Sequence, residues 1–146
     1  MKVLSIDPGE KRIGIAISDP TGTLARPFTI INHISLLEDA RRIVNFANDL
    51  ESKLMIIGYP LQSDGQIGYR ARKSIRLKEQ ILKLTDVTVI LWDESFTTKQ
   101  AHALRINMGL AKKKRNVPVD DLAAAILLEE FLSSNQFLEL KETDNE

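Results

Sequence analysis

The chain has no cysteine among its 146 residues, which excludes disulfides, thiolate zinc sites and cysteine nucleophiles together. Its two histidines, His33 and His102, are isolated and cannot make a multi-histidine zinc centre. No apolar run approaches the ~18 residues of a membrane span. The first residues lack the charged-then-apolar layout of a secretory signal, so the expected compartment is the cytoplasm. There is no G-x-x-x-x-G-K-[ST] phosphate loop, no G-x-S-x-G elbow and no histidine placed to activate a nucleophile. What is there is ordinary in bulk: 43% apolar and 27% charged residues, as in globular domains generally. The length suffices for one core without staples.

The formal net charge of zero conceals a gradient. Glu139 to Glu146 hold four acids and one base, while residues 1–138 carry 19 bases and 16 acids, a body charge of +3. That division predicts one domain over 1–138 and an acidic, disordered tail over 139–146. The bases cluster at Arg70, Arg72, Lys73 and Arg76, and again at Lys112-Lys113-Lys114-Arg115. Such clusters are either solvated faces or the footprint of a phosphate backbone.

Two runs of strand-type residues flank Asp7-Pro8-Gly9-Glu10-Lys11-Arg12, which reads as a β-hairpin. A third apolar run, Leu24 to Ile31, contains Pro27 and reads as an edge strand. Ser35-Leu36-Leu37-Glu38 is a capping box that opens a helix through Leu50. Lys53 to Gly58 and Val87 to Trp92 read as strands buried on both faces. Between them lies a basic amphipathic helix, Tyr69 to Leu84. A third helix is expected from Thr97 to Gly109, and a last one from Asp120-Asp121 to Leu132. The order predicts an α/β fold with a mixed five-stranded sheet, an antiparallel edge and helices on both faces. In it, the carboxyl ends of the first strand and the later two meet on one side, where ligands bind in open α/β sheets.

Asp7 ends the first strand, Glu94 follows the last strand and Asp120 starts the last helix. Converging carboxylates repel one another unless cations neutralise them. Oxygen-only donors suit Mg²⁺ or Mn²⁺, and a pair of such ions is suited to phosphodiester hydrolysis. Each acid also has a plainer reading: Asp7 as a turn residue, Asp120 as a helix cap, and Asp93-Glu94 as a strand emerging into water. Spacing does not choose Glu94 over Asp93, and Asp64 is a lesser candidate. His102 reads as a helix-surface residue.

These residues form an ordered series of motifs: Asp7-x-Gly9-x-Lys11-Arg12-Ile13-Gly14-x-Ala16, Gly58-x-Pro60-Leu61 with Asp64-Gly65, and Ala71-Arg72. Asp93-Glu94 with Thr97-Thr98 and Ala101, then Val119-Asp120 with Ala123-Ala124 and Ile126-Leu127, complete it. The series resembles the YqgF/RuvX family of bacterial RNase H-like nucleases up to about Leu132. The resemblance implies an RNase H-like fold and an acidic triad of Asp7, Glu94 and Asp120. On that reading Asp7 bridges two metal ions, Glu94 and Asp120 hold one each, and Lys11, Arg12, Arg72 and Arg76 contact phosphates. The family is assigned to processing the 5′ end of pre-16S ribosomal RNA, and formerly to Holliday junction resolution. Many members carry Arg-Leu where this chain has Ser95-Phe96, so a serine able to offer only a weaker hydrogen bond stands where an arginine could touch substrate phosphate.

The expected activity is therefore a metal-dependent nuclease, a hydrolase using Mg²⁺ or Mn²⁺ on structured RNA, with ribosome-associated factors as further partners and no membrane. The alternatives are a branched-DNA resolvase with the same chemistry and a non-catalytic nucleic-acid or ribosome-binding module. Three acids facing a phosphate backbone without cations would oppose the last by repulsion.

Overall fold

The computed structural model describes residues 1–60, 68–93 and 120–144. The hairpin is β1 (Val3–Pro8) and β2 (Arg12–Ser18), followed by β3 (Ala25–Asn32) and α1 (Leu36–Asp49). Then come β4 (Leu54–Tyr59), α2 (Tyr69–Leu82), β5 (Thr88–Asp93), α3 (Asp120–Leu132) and α4 (Asn135–Asp144). The strands form one sheet in the order β3-β2-β1-β4-β5. β1 pairs antiparallel with β2 and parallel with β4, and β5 is parallel to β4. This is the mixed sheet expected from the sequence, with β1 in the middle.

Pro27 lies in the edge strand β3, where a missing N–H costs no internal ladder bond. It sits at the register shift between Ile15 and Ala16. The capping box works through its first half: Ser35 Oγ accepts from the Glu38 N–H at 3.1 Å. The Glu38 carboxylate pairs with Arg41 at 3.0 Å.

Alternation along each strand divides the core in two. Leu4, Ile6, Ile13, Ile15, Ile17, Met55 and Ile57 face α1 and α2. Val3, Ala16, Leu54, Ile56, Ile90 and Trp92 face α3 and α4. α1 and α2 bury one stripe each. α3 is apolar nearly all round, and almost every residue from Leu122 to Leu128 is buried, as its composition demands.

One expectation is corrected here. The acidic tail is helical through Asp144, not disordered from residue 139, and α3 is not the last helix. Phe137 is fully buried against Phe131, Leu140 packs on the same cluster, and the Lys141 ammonium lies 5.1 Å from the Phe137 ring centroid. Three apolar or amphipathic anchors on one short helix outweigh the mutual repulsion of its acids. The helix expected from Thr97 to Gly109 and the basic cluster at 112–115 lie outside the described residues.

Candidate nucleic-acid cleavage site

Asp7 stands next to the end of the central strand, half-buried. Val3 belongs to the α3-side cluster, and Ser5, two residues on, donates its hydroxyl to the Ala124 carbonyl of α3 at 2.9 Å. Strand alternation therefore puts Asp7 on the α3 face of the sheet as well. Its antiparallel partner is Gly14. In β4 the register Ile6↔Ile57 makes Gly58 the next residue level with it. Asp7 is thus flanked on both neighbouring strands by residues without side chains, leaving its face open to a bulky ligand.

The direction of α3 follows from its contacts. Phe137, just beyond its end, shares a buried cluster with Val3 near the start of β1. A Cβ built on Gly22 would lie 2.8 Å from the Phe137 ring and 3.0 Å from the Met1 carbonyl oxygen, so this helix end abuts the beginning of the sheet. Ala124 lies at Ser5. α3 consequently runs antiparallel to β1, and its first residue, Asp120, comes toward the end of β1 that carries Asp7. Four residues of helix advance about 6 Å and two of strand about 6.6 Å, so the backbones at Asp120 and Asp7 draw level. The small Ala123-Ala124-Ala125 segment lets the helix approach closely enough for the Ser5 bond.

β5 ends at the same edge, because Gly58 pairs with Trp92 and Tyr59 with Asp93. Ile90 and Trp92 face α3, whereas Val89 and Leu91 face α1 and α2. Alternation therefore gives Asp93 the face opposite to Asp7. That bears on the choice between Asp93 and Glu94 which spacing left open. Glu94, Asp64, Ser95-Phe96 and His102 lie outside the described residues. Among the described residues, no three acidic or histidine side chains gather closely enough to hold a metal ion.

The turn after Asp7 is tight. Gly9 N–H donates to the Arg12 carbonyl at 2.8 Å, and a Cβ at Gly9 would meet that oxygen at 2.7 Å, so only glycine fits without a backbone shift. Lys73 of α2 donates to the Gly9 carbonyl at 2.8 Å, tying the turn to the other side of the sheet. Lys11 and Arg12 are exposed on this turn, within a few residues of Asp7. Arg72 and Arg76 are elsewhere: with Glu10, His33, Tyr69 and Lys73 they line a groove of about 590 Å³ on the α1–α2 side of the edge. The four expected phosphate contacts thus fall into two groups.

Sequence reasoning missed one polar cluster. Asp39, 2% exposed in the first turn of α1, accepts from the Ile34 N–H at 3.0 Å and from Arg42 Nη2 at 2.6 Å, and also pairs with His33 Nδ1. Burial pushes its pKa up, but the Ile34, His33 and Arg42 contacts outweigh that and hold the carboxyl below its ordinary value. In sequence Asp39 looks like any acid at a helix start. The turn at Asp19 has a similar character in water: its carboxylate collects the N–H groups of Leu24, Thr23 and Thr21 and the Thr21 hydroxyl, which lower its pKa.

Residues 1–134 match the RuvX family, described as "Holliday junction resolvase". The chain belongs to the RuvX family. A relative from Acetivibrio thermocellus is 38% identical over 136 residues, covering 92% of this chain and 96% of its own. One from Thermoanaerobacter pseudethanolicus is 34% identical over 137 residues, covering 93% and 99%. Both bear the name "Putative pre-16S rRNA nuclease". Among solved structures, Thermus thermophilus RuvC in complex with a Holliday junction is similar with a TM-score of 0.59 at 17% identity, covering 90% of this chain and 93% of that one. The fowlpox virus Holliday junction resolvase gives 0.55 at 16% identity, covering 90% and 98%. These likenesses establish the RNase H-like fold for this RuvX-family chain.

Proposed function

We propose that this RuvX-family protein is a cytoplasmic nuclease that hydrolyses phosphodiester bonds in structured RNA, with the 5′ end of pre-16S ribosomal RNA as its substrate. The observation that carries the reading is Asp7, an acid near the end of the central strand between Gly14 and Gly58, with the first residue of α3 drawn level with it. The names of the relatives favour ribosomal RNA as substrate.

Asp7, Glu94 and Asp120 are the residues proposed to hold two Mg²⁺ or Mn²⁺ ions. The donor set fits hard cations, since an all-carboxylate site without cysteine or histidine suits them and not zinc. Glu94 is preferred to Asp93 because Asp93 belongs to the face turned from Asp7. When bound, the ions would supply activation of water and stabilisation of the leaving oxygen. The protein's own part is positional. The fixed turn at Gly9 keeps the exposed Lys11 and Arg12 within a few residues of Asp7, and the two glycines leave space for the ribose and phosphate. Among the described residues no helix is long and apolar enough to cross a membrane.

The test is a cleavage assay with Mn²⁺ on precursor ribosomal RNA and on four-way DNA junctions, with Asp7→Asn as control. Cleavage of the RNA, lost in the variant, is the expected result. Selective cleavage of the junction would support the resolvase reading that the family description suggests. Binding of either without cleavage would indicate a non-catalytic module.

A further inference from the structure

The groove beside α2 does not open on the face of Asp7. It lies on the α1–α2 side of the same sheet edge, between the β1–β2 turn, the end of β3 and α2. Tyr69, Arg72, Lys73 and Arg76 form one wall, at the i, i+3, i+4, i+7 spacing of a single helix face. Ala71, Ser74, Leu77 and Ile81 of the same helix point to the core. Glu10 is the one acid among the lining residues, against three α2 cations.

Across the groove stands His33, whose side chain is 32% exposed. Its Nδ1 is engaged by Asp39 Oδ2, and Asp39 is held ionised by the Ile34 N–H and Arg42. An ionised carboxylate only accepts, so the hydrogen of a neutral His33 ring sits on Nδ1 and leaves Nε2 an acceptor. Nε2 becomes a donor only when the ring gains a second proton. The charged groups beside the ring are Asp39 and Arg42 from α1, Glu10 from the hairpin turn, and Arg72, Lys73 and Arg76 from α2. An anion entering this largely cationic surrounding favours protonation of His33, and protonation favours the anion.

We propose that this groove is a second phosphodiester-binding subsite, in which Arg72, Arg76 and a protonated His33 oriented by Asp39 hold backbone phosphates of the strand flanking the cleavage point. The ligand class rests on the nuclease reading. The subsite couples physically to the first, because Lys73 in its wall holds the carbonyl of Gly9, two residues after Asp7. Binding is then linked to uptake of a proton, a property arginines alone cannot confer.

The experiment measures binding of a labelled RNA hairpin with a single-stranded flank by fluorescence anisotropy, at fixed ionic strength, between about pH 6 and pH 8. The full chain carries Asp7→Asn throughout, so that the RNA stays intact. Affinity should fall as pH rises, by no more than about tenfold per pH unit for one linked proton. His33→Asn retains an amide for Asp39 but lacks Nε2. It should bind several-fold more weakly near pH 6 and lose the pH dependence, whereas His102→Asn keeps it. Arg72→Ala with Arg76→Ala, both at exposed positions, should weaken binding and flatten its salt dependence. The proposal is overturned by an unchanged pH curve in His33→Asn, or by unchanged affinity and salt slope in the arginine double variant. In either case Mn²⁺-dependent RNA cleavage by the chain with Asp7 intact would leave the nuclease reading standing. Conversely, the expected binding behaviour without any cleavage would uphold the subsite and overturn that reading.

Discussion

On the α1–α2 face of the sheet, Ile13, Ile15, Ile43, Leu77 and Ile81 fill the space with large branched side chains. The layer opposite, around Asp7, includes the small residues Ser5, Gly14, Ala16, Gly58, Ala124 and Ala125, with Ile56 level with Ser5. The first face is built for packing: amphipathic helices lie on it and bury one stripe each. The second is built for approach, with small residues bringing the start of α3 to the end of β1 and keeping the space beside Asp7 open. Large aromatic side chains on this face lie two strands away at Trp92, which is level with Gly58 and meets Phe131 edge to face, and toward the other end of the sheet at Phe137. Substitutions on the two faces should therefore separate stability from activity.

The largest effect is expected at Asp7. Asp7→Asn should reduce nuclease activity by orders of magnitude with the fold intact, since an amide is a poor ligand for a hard cation. Mg²⁺ or Mn²⁺ should raise the melting temperature of the parent but not of the variant, because only binding to the folded state stabilises. An equal shift in both would mean that the ions bind elsewhere.

Ala124→Leu attacks the approach itself. Extra methylenes in the α3–β1 contact should cost about 1–3 kcal/mol and push the start of α3 away from Asp7. Denaturant melts and initial rates should show activity lost well beyond what the folded fraction explains. A variant whose rate merely tracks its folded population would break the distinction between the faces.

Asp39→Asn should weaken RNA binding through His33 but leave turnover at saturating RNA unchanged, while lowering stability near neutral pH by about 1–2 kcal/mol. That is at the low end for charge-assisted contacts, because Arg42 and His33 are partly exposed. The sign of its pH dependence follows from the lowered pKa. The Asp39 contribution is fully present above the unfolded carboxylate value of about 3.9 and is lost as pH falls through the lower folded value. The stability gap between parent and variant should accordingly narrow on acidification, as read by urea titrations at stepwise lower pH. A gap that widened in acid would contradict the depressed pKa.

The smallest effect is expected at Ile43, fully buried among branched neighbours. Ile43→Val should cost about 0.5–1.5 kcal/mol and leave the specific activity unchanged. A rate defect in this variant at full folding would show that the two faces are coupled.

Local patterns in the sequence determined most of the architecture. Period-two and period-3.6 spacing, Pro27 at an edge, and Ser35 at a helix start are statements about neighbours along the chain, and the structure bears them out. The tail was misread for the same reason. Its acids argue for solvation, while the anchors that order it, Phe137 on Phe131 and Leu140 on the second cluster, act through contacts to other elements.

At the site, the sequence by itself supplied the identities: an aspartate at the end of a buried strand, a glycine turn, an aspartate at a helix start and a basic helix. Only the tertiary structure decided their relations. It placed Asp7 on the α3 face between two glycines and turned Asp93 to the other face. It moved Arg72 and Arg76 into a groove apart from Lys11 and Arg12, and joined His33 to Asp39. The face a residue occupies depends on strand register, and register depends on which strands pair. A contact such as Ser5 with Ala124 spans 119 residues, a separation at which local spacing carries no information.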